Sequence, residues 1–184
     1  MAVRLFAALV PPASVLDHLE TALETVRSGP AGALRWVPRE NVHLTLAFYG
    51  EVPDGALPDV SASLAAVARE TTGPQVALSG AGAFSGRTLW VGVGGEVAVV
   101  QRLMADATEM LQDRRDDGPS RPHVTVARAG RRARGLELAP AVRALSVYRG
   151  PSWRADELRL LSSRLGEGHA GAPRYQTLDA WPLG

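Results

Sequence analysis

The chain has 184 residues, enough for one domain or for two small interlocked lobes, and a net charge of +1 means that it is not strongly basic as a whole. The sequence contains no Cys, which excludes disulfides, thiolate metal sites and cysteine nucleophiles. All 20 basic residues are Arg, and the absence of Lys excludes a Walker A lysine, Schiff-base chemistry and a lysyl-adenylate intermediate.

The apolar segments of the sequence do not indicate contact with a membrane. Residues 1–10 lack the length and the flanks of a signal peptide, and no apolar stretch approaches the roughly 18 residues of a membrane span. We therefore expect a cytoplasmic protein that does not contact a membrane. No unexplained apolar stripe remains on the predicted elements, so we also expect a monomer.

Apolar spacing predicts the elements of the first part of the chain. A buried strand over 3–10 is followed by a helix that begins at Pro12, a favourable residue at a helix start. Next come a short strand over 34–37, a strand over 41–49 and a turn over 50–55. A second helix, a strand over 75–80 and a flexible connection over 82–86 complete this part. The helical faces consist of Val15, Leu16, Leu19, Leu23 and Val26 in the first helix and Leu57, Val60, Leu64, Val67 and Ala68 in the second.

The same order of elements restarts in the second part of the chain. A strand over 88–93 precedes a helix, and a strand over 121–128 lies between two polar loops. Residues 137–144 are ambiguous, and further strands are predicted over 145–149, 157–164 and 174–181. We interpret the order as an internal repeat, so that residues 1–184 form a single domain of two related halves, about 1–86 and 87–184. The third helical face consists of Val97, Val100, Leu103, Met104, Ala107 and Leu111.

Two tetrads of the form His-x-Thr-x, at 43–46 and 123–126, carry the chemistry of the chain. Each has an aliphatic residue at both x positions and continues with Ala. A β-strand points alternate side chains to opposite faces, so each tetrad predicts an apolar face for the core and a His-plus-hydroxyl face for a site. Alternation places His43, Thr45, Ala47, His123, Thr125 and Ala127 on the site faces and Leu44, Leu46, Phe48, Val124 and Val126 on the core faces.

The two histidines are 80 positions apart (123 minus 43), so only the fold can bring them together. Two related halves packed about a pseudo-twofold axis would place both tetrads across one cleft. A histidine can give or take a proton near neutral pH, and a pair can divide these roles between a nucleophile and a leaving group. Two threonine hydroxyls could hold the phosphoryl oxygens on which transition-state charge develops. The pattern therefore favours cleavage of a phosphodiester.

Metal binding is the rival interpretation of the two histidines. Zinc usually takes three or four protein ligands, and neither tetrad has a carboxylate or a Cys beside its His. The other histidines, His18 and His169, lie in a predicted helix and in a Gly-rich loop. We expect neither a metal nor a cofactor.

Weaker signals surround the tetrads. The arginines in the loops beside the second tetrad are either a solvated surface or a basic rim that attracts a polyanion. Four aromatic residues could stack a base but are more often core residues. Gly80, Gly82 and Gly86 miss the dinucleotide fingerprint by one position and indicate a turn. The arginines are Arg114, Arg115, Arg131, Arg132 and Arg134, and the aromatic residues are Trp36, Tyr49, Phe84 and Trp90.

These residues resemble the 2H phosphoesterase superfamily, which is named for two such tetrads, and within it the RNA 2′,3′-cyclic phosphodiesterases once called 2′-5′ RNA ligases. The resemblance covers almost the whole chain. It includes RLFAAL, WVPRENVHLTLAFYGEV over 36–52, SGAGAF, TLWVGV, RPHVTVAR over 121–128, and Tyr175, Leu178 and Trp181-Pro182-Leu183 near the end. Where many relatives have another His before the second tetrad, this chain has Ser120-Arg121-Pro122, and Tyr49 stands where an aliphatic residue is expected.

The resemblance implies an α+β fold of two lobes with pseudo-twofold symmetry, in which antiparallel sheets line a central cleft and helices lie outside. It implies metal-independent opening of an RNA 2′,3′-cyclic phosphate to a 2′-phosphate, and 2′-5′ RNA ligation as related chemistry. By position, His43 is the proton donor to the leaving oxygen and His123 is the base that activates water. Thr45, Thr125 and Arg128 bind the phosphate, although strict alternation would turn Arg128 away from His123.

Three hypotheses follow for the function of the cleft. A cyclic phosphodiesterase would act on RNA or on a nucleotide that ends in a 2′,3′-cyclic phosphate, and it would not respond to chelators. A noncatalytic module for RNA ends or nucleotides would bind in the same cleft without turnover. A metal-dependent hydrolase would be silenced by chelation. The paired tetrads favour the first, because binding alone needs no matched acid and base.

Overall fold

The computed structural model describes residues 1–29, 34–109, 121–130 and 138–184. Its helices and strands alternate in an order close to that predicted from the sequence. The strands are β1 (Ala2–Leu9), β2 (Arg35–Trp36), β3 (Leu44–Pro53), β4 (Gln75–Phe84), β5 (Thr88–Gly95), β6 (His123–Arg128), β7 (Arg149–Arg154), β8 (Glu157–Arg164) and β9 (Arg174–Pro182). The helices are α1 (Ala13–Arg27), α2 (Leu57–Glu70), α3 (Val97–Thr108) and α4 (Leu138–Leu145).

The strands form one antiparallel sheet in the order β7-β4-β5-β6-β3-β1-β8-β9, and outside this path β2 pairs with the last two residues of β6. This order is symmetric about the junction of β6 and β3. Exchange of β6 with β3, β5 with β1, β4 with β8 and β7 with β9 reproduces it. The sheet therefore has two lobes of four main strands, and the two strands that begin with the tetrads meet at the centre.

Two of the helices tie the two lobes together by crossing from one to the other. Helix α1 follows β1 but packs against β7, and α3 follows β5 but packs against β3. Strand pairing also crosses the predicted boundary near residue 86, because β4 pairs with β5 and β8 pairs with β1. The division of the sequence into two related halves stays a prediction, since each lobe of the sheet takes strands from both.

The first helix shows how apolar spacing positions the site. All five apolar residues predicted for its inner face are buried, and burial of one such side chain stabilises the fold by about 1.5–3 kcal/mol. Pro12 precedes the helix in an extended conformation and leaves its carbonyl to accept the first backbone bonds, from Val15 and Leu16. The predicted helix is confirmed, and it anchors the chain between β1 and the segment that leads to His43. The strand predicted over 41–49 begins later, at Leu44, directly after His43.

Three predicted boundaries are wrong. Strand β3 continues through the predicted turn over 50–55 as far as Pro53, and Gly50 takes the left-handed φ of 70° that this irregular pairing requires. The predicted strand over 145–149 is not formed, because Leu145 is a buried residue at the end of α4. The strand begins instead at Arg149 and contains Pro151, which is tolerated because β7 lies at the edge of the sheet.

The predicted flexible connection over 82–86 is correct only at its end, because β4 runs to Phe84 and the turn begins at Ser85. Gly82 faces the indole of Trp90 on β5, and a Cβ at this position would lie 2.2 Å from Trp90 Cζ2. Glycine is therefore needed for the close approach of an aromatic ring and not for a turn. Tyr49, which stands where the resemblance predicts an aliphatic residue, packs against the core and donates a hydrogen bond of 3.0 Å to the carbonyl of Ala107 in α3.

Each strand with a tetrad contains a β-bulge at the same place. In the pairing of β1 with β3 the register shifts at Leu46, and in the pairing of β5 with β6 it shifts at Val126. Each bulge follows the threonine of its tetrad and adds one residue to the strand, so that side chains beyond it change faces. Consecutive residues are buried at both sites as a result, namely Leu46 and Ala47 in β3 and Val126 and Ala127 in β6.

In the part of the chain that is described, no helix has the length and apolar character needed to cross a membrane. The cytoplasmic location stays a prediction. The predicted basic rim of Arg114, Arg115, Arg131, Arg132 and Arg134 lies outside the described residues.

Candidate active site

One cavity of about 500 Å³ brings together all five residues that the sequence singles out, namely His43, Thr45, His123, Thr125 and Arg128. It lies at the centre of the sheet, where β3 and β6 share the single antiparallel pair of Leu44 with Val124. Both residues of this pair are buried, so the residues that flank them face the opposite side. Extending the register by one residue places each histidine opposite the threonine of the other tetrad.

Arg128 reaches the cavity because of the bulge in β6. Strict alternation from His123 predicts that Arg128 points into the core, and this prediction is wrong. The bulge at Val126 shifts the alternation by one residue, so Ala127 packs in the core and Arg128 lines the cavity. The equivalent bulge in β3 turns Phe48 to the cavity, which corrects the prediction that Phe48 is a core residue and Ala47 a site residue.

The same hydrogen bond fixes the ring of each histidine. His43 Nδ1 donates to the carbonyl of Asn41 at 2.7 Å, and His123 Nδ1 donates to the carbonyl of Arg121 at 2.8 Å. A carbonyl oxygen can only accept, so Nδ1 carries a hydrogen in both charge states of the ring. Proton transfer at either histidine therefore falls to Nε2. The two residues thus share one tautomer, set by the carbonyl two positions earlier.

Burial lowers the pKa of both histidines below the ordinary value of about 6.5. The hydrogen bond of each ring to its carbonyl opposes this shift, because it favours the charged form. The positive charge of Arg128 lowers the pKa of both rings further, and the charge of His123 lowers that of His43. Both rings are therefore largely neutral at pH 7, and an anion bound beside Arg128 would raise both pKa values.

Aromatic side chains support each histidine. The His43 ring lies 4.8 Å from Phe6 and 5.3 Å from Tyr175, the latter edge-on at 88°. The His123 ring lies 4.9 Å from Phe84, also edge-on, and 6.1 Å from Trp90. Arg121, which lies in the segment where many relatives have another histidine, is exposed, and its guanidinium stacks over Trp90 at 5.0 Å. These contacts restrict the rings to the orientations that their Nδ1 bonds require.

Two arginines in the cavity lining escaped the sequence analysis. Arg4 on β1 lies over the Phe48 ring at 4.6 Å, and Arg35 on β2 is the cross-strand partner of Arg128. With Arg128 they make three cations, and no carboxylate belongs to the described lining. The sequence did contain a signal for Arg4, because this charged residue precedes Leu5 within an otherwise apolar predicted strand. The cavity is therefore suited to anions such as phosphate.

Asn41 links the first tetrad to the loop before β9. Its side-chain Nδ2 donates to the carbonyl of Pro173 at 2.8 Å, while its own carbonyl holds His43. The side chain is buried, and the loop that it holds leads to Tyr175. Asn41 is thus a positioning residue for both sides of the His43 ring, and only the tertiary structure reveals it.

The described residues offer no cluster of three or more His, Asp or Glu side chains that could hold a metal ion. Neither of the remaining histidines lies in the cavity. His18 contacts Tyr148 on another surface, at 3.1 Å between Nδ1 and the phenol oxygen, and His169 lies in a short turn over 169–171. The chemistry that the cavity can offer through its own side chains is proton transfer at two imidazoles beside cationic and hydroxyl groups.

Comparison with known proteins places the chain beside phosphodiesterases. The family model of the 2′-5′ RNA ligase superfamily matches residues 15–167. A protein of Methanothermobacter thermautotrophicus named RNA 2′,3′-cyclic phosphodiesterase is 30% identical over 189 residues, which cover 100% of both chains. A protein of the same name from Geobacillus stearothermophilus is 33% identical over 159 residues, and the match covers 80% of this chain but 47% of that protein. The chain therefore spans about half the length of that relative.

Solved structures share the fold. A crystal structure from Thermus thermophilus is 27% identical with a TM-score of 0.74, and the match covers 98% of this chain and 97% of that one. The structure of Escherichia coli LigT complexed with phosphate has a TM-score of 0.75 at 24% identity, over 99% of this chain and 98% of that one. These matches confirm the α+β fold of two lobes, and the family model with the curated relatives confirms the family resemblance drawn from the sequence.

Proposed function

Because the chain belongs to the 2′-5′ RNA ligase superfamily, we propose that it is an RNA 2′,3′-cyclic phosphodiesterase that opens the cyclic phosphate to a 2′-phosphate. The observation that carries this proposal is the matched state of the two histidines. Both line one cavity, and a carbonyl holds each at Nδ1, which leaves Nε2 for proton transfer. A binding module would have no need for two proton-transfer groups in the same tautomer.

In the proposed reaction His123 acts as the base and His43 as the acid. Nε2 of neutral His123 takes a proton from water as the water oxygen bonds to phosphorus. The bond between phosphorus and O3′ breaks, and Nε2–H of protonated His43 delivers its proton to O3′. A free 3′-hydroxyl and a 2′-phosphate result, and exchange with solvent restores the two rings.

The groups around the histidines would stabilise the phosphoryl oxygens. The hydroxyls of Thr45 and Thr125 flank the central strand pair, from which each can donate to a non-bridging oxygen. Arg128 supplies positive charge beside both histidines, where negative charge increases in the transition state. Side chains of these five residues supply the acid, the base and the contacts to the phosphate, so the proposed reaction requires no metal and no cofactor.

The same cleft would support 2′-5′ ligation. A 5′-hydroxyl in place of water would attack the same phosphorus, release the same O3′ and form a 2′-5′ phosphodiester. The energy would come from the strained cyclic ester, in agreement with the absence of any lysine for adenylation. We propose ligation as a secondary activity of the hydrolytic site, in a protein that acts as a monomer.

A product assay tests the proposal. The protein is incubated, with and without EDTA, with a short RNA that ends in a 2′,3′-cyclic phosphate, and the phosphomonoester is identified. We expect a 2′-phosphate in equal yield in both conditions. Salt-dependent binding without a product would favour the noncatalytic module, and inhibition by EDTA would favour a metal-dependent hydrolase. A 3′-phosphate would mean that O2′ rather than O3′ is the leaving oxygen, so that the ribose lies in the cleft in the opposite orientation.

The lowered pKa values predict an acidic optimum for kcat/KM. The reaction requires a single proton on the histidine pair, and this form is most abundant between the two pKa values, both below about 6.5. As the pH rises beyond that range the acid loses its proton, and kcat/KM should fall about tenfold for each pH unit. A profile from pH 4.5 to 8.5 measures this.

The substitution Arg128→Gln tests whether the charge of Arg128 contributes to the lowered pKa values of the two histidines. Removing the charge that lowers both pKa values should move the falling limb of the kcat/KM profile to higher pH, even though overall activity decreases. An unchanged position of that limb, or a wild-type plateau that extends through pH 8, would contradict the assignment.

A further inference from the structure

Arg35 and Arg128 form an unusual pair within the sheet. They are direct partners across the antiparallel strands β2 and β6, and both line the cavity. Like charges directly opposite each other on neighbouring strands are destabilising. No carboxylate of the described residues forms an ion pair with either guanidinium. The pair therefore favours a ligand that brings negative charge to both arginines.

The two arginines differ in their position relative to the tetrads. Arg128 lies at the end of β6, the strand that also carries His123, whereas Arg35 lies on the short strand β2, which pairs with that end of β6. Arg128 is thus placed to serve the phosphate between the histidines, and Arg35 is placed for a second phosphate. A cyclic phosphate diester carries a single negative charge, so a terminal group alone would leave Arg35 without an anion.

Space for more of the ligand adjoins Arg35. A second cavity of about 460 Å³ shares Arg35 and Trp36 with the first. The other arginines of this cavity are already neutralised, because Arg27 pairs with Glu20 at 2.5 Å and Arg39 pairs with Asp17 at 2.5 Å. Arg35 is therefore the uncompensated guanidinium between the two cavities. A chain that continues from the first cavity into the second would pass it.

We propose that Arg35 binds the internal phosphate immediately upstream of the terminal cyclic phosphate. The substrate class is then an RNA strand end with at least one internal phosphodiester, in preference to a cyclic mononucleotide. This inference rests on the proposed function, because it assigns the terminal phosphate to Arg128 and the histidines. It selects among substrates that share the same reacting group.

The test compares a dinucleotide that ends in a 2′,3′-cyclic phosphate with the corresponding cyclic mononucleotide. The native protein should show kcat/KM about tenfold or more higher on the dinucleotide, the effect expected of one charge-assisted contact. Arg35→Ala should reduce this ratio towards one, mainly through a higher KM for the dinucleotide. Arg4→Ala removes the same side chain from the opposite lobe of the cavity and should lower both values by similar factors.

A neutral linkage gives a second readout that does not depend on folding of the variants. Replacing the internal phosphodiester by a methylphosphonate should abolish the preference of the native protein and make the dinucleotide insensitive to Arg35→Ala. Equal turnover of both natural substrates, or an equal loss on both in Arg35→Ala, would overturn the inference alone. Absence of turnover of both by the native protein would overturn the proposed function and the inference with it.

Discussion

Replacing His123 by Ala is expected to lower kcat on an RNA 2′,3′-cyclic phosphate by about 10²–10⁴-fold, the usual contribution of one general acid or base. The physical reason is that the described lining holds one other imidazole, His43, which the proposed mechanism assigns to the leaving oxygen, and no carboxylate that could accept the proton of water. Single-turnover measurements on the purified variant would give the value, since they separate chemistry from product release.

Replacing His43 by Ala should reduce activity on the natural substrate by a similar factor, but the loss should depend on the leaving group. A nucleotide p-nitrophenyl phosphodiester releases a stable anion that needs no proton, so His43→Ala should retain most of its activity on it, whereas His123→Ala should not. An equal loss in both variants on this ester would contradict the assignment of His43 as the acid. His18→Ala, on the outer surface of α1, is the matched control and should retain full activity.

Replacing either threonine of the cavity by valine should lower kcat by about 10²–10³-fold, the cost of removing one donor to a developing oxyanion. Valine has nearly the shape of threonine, and Thr45 and Thr125 are only partly buried, so Thr45→Val and Thr125→Val should fold as the native protein does. The expected loss lies in kcat rather than in KM, because the bond strengthens as charge moves onto the phosphoryl oxygens. Steady-state kinetics on the dinucleotide substrate would separate the two parameters.

Serine provides the rescue experiment for both positions. Thr45→Ser and Thr125→Ser keep the hydroxyl and should restore kcat to within about tenfold of the native value, since the donor is present although less well fixed in orientation. Thr72→Val, at an exposed position after α2, is the control for the exchange itself. If the serine variants were as slow as the valine variants, the threonines would act through packing rather than through donation.

Local patterns predicted much of the fold because they reflect interactions along a single element. The face of α1 and the opposition of His43 and Thr45 to Leu44 are set by helical and strand periodicity. The twofold relation between the tetrads was visible because the same pattern occurs twice. The sequence therefore predicts which residues of one element share a face, and it predicts that the two tetrads lie together.

The features that failed depend on contacts between strands. The bulges at Leu46 and Val126 decide whether Phe48 and Arg128 face the core or the cavity, and no glycine or other local signal marks them. The role of Gly82 depends on an indole from the next strand. Arg35 gains meaning only when β2 is known to pair with β6, because its register partner is far away in the sequence.

The two bulges are equivalent, but the side chains that they bring to the cavity are not, and this breaks the symmetry of the site. They bring equivalent positions of the two tetrads to the cavity, and one holds Phe48 while the other holds Arg128. A cleft with identical halves would bind a phosphodiester in either of two reversed orientations, and half of the bound ligand would present the wrong oxygen to the acid. Because Phe48 and Arg128 would meet different parts of a bound ligand, we expect the two orientations to differ in free energy. This difference in one side chain would make the cleft directional, as the proposed division of roles between the two histidines requires.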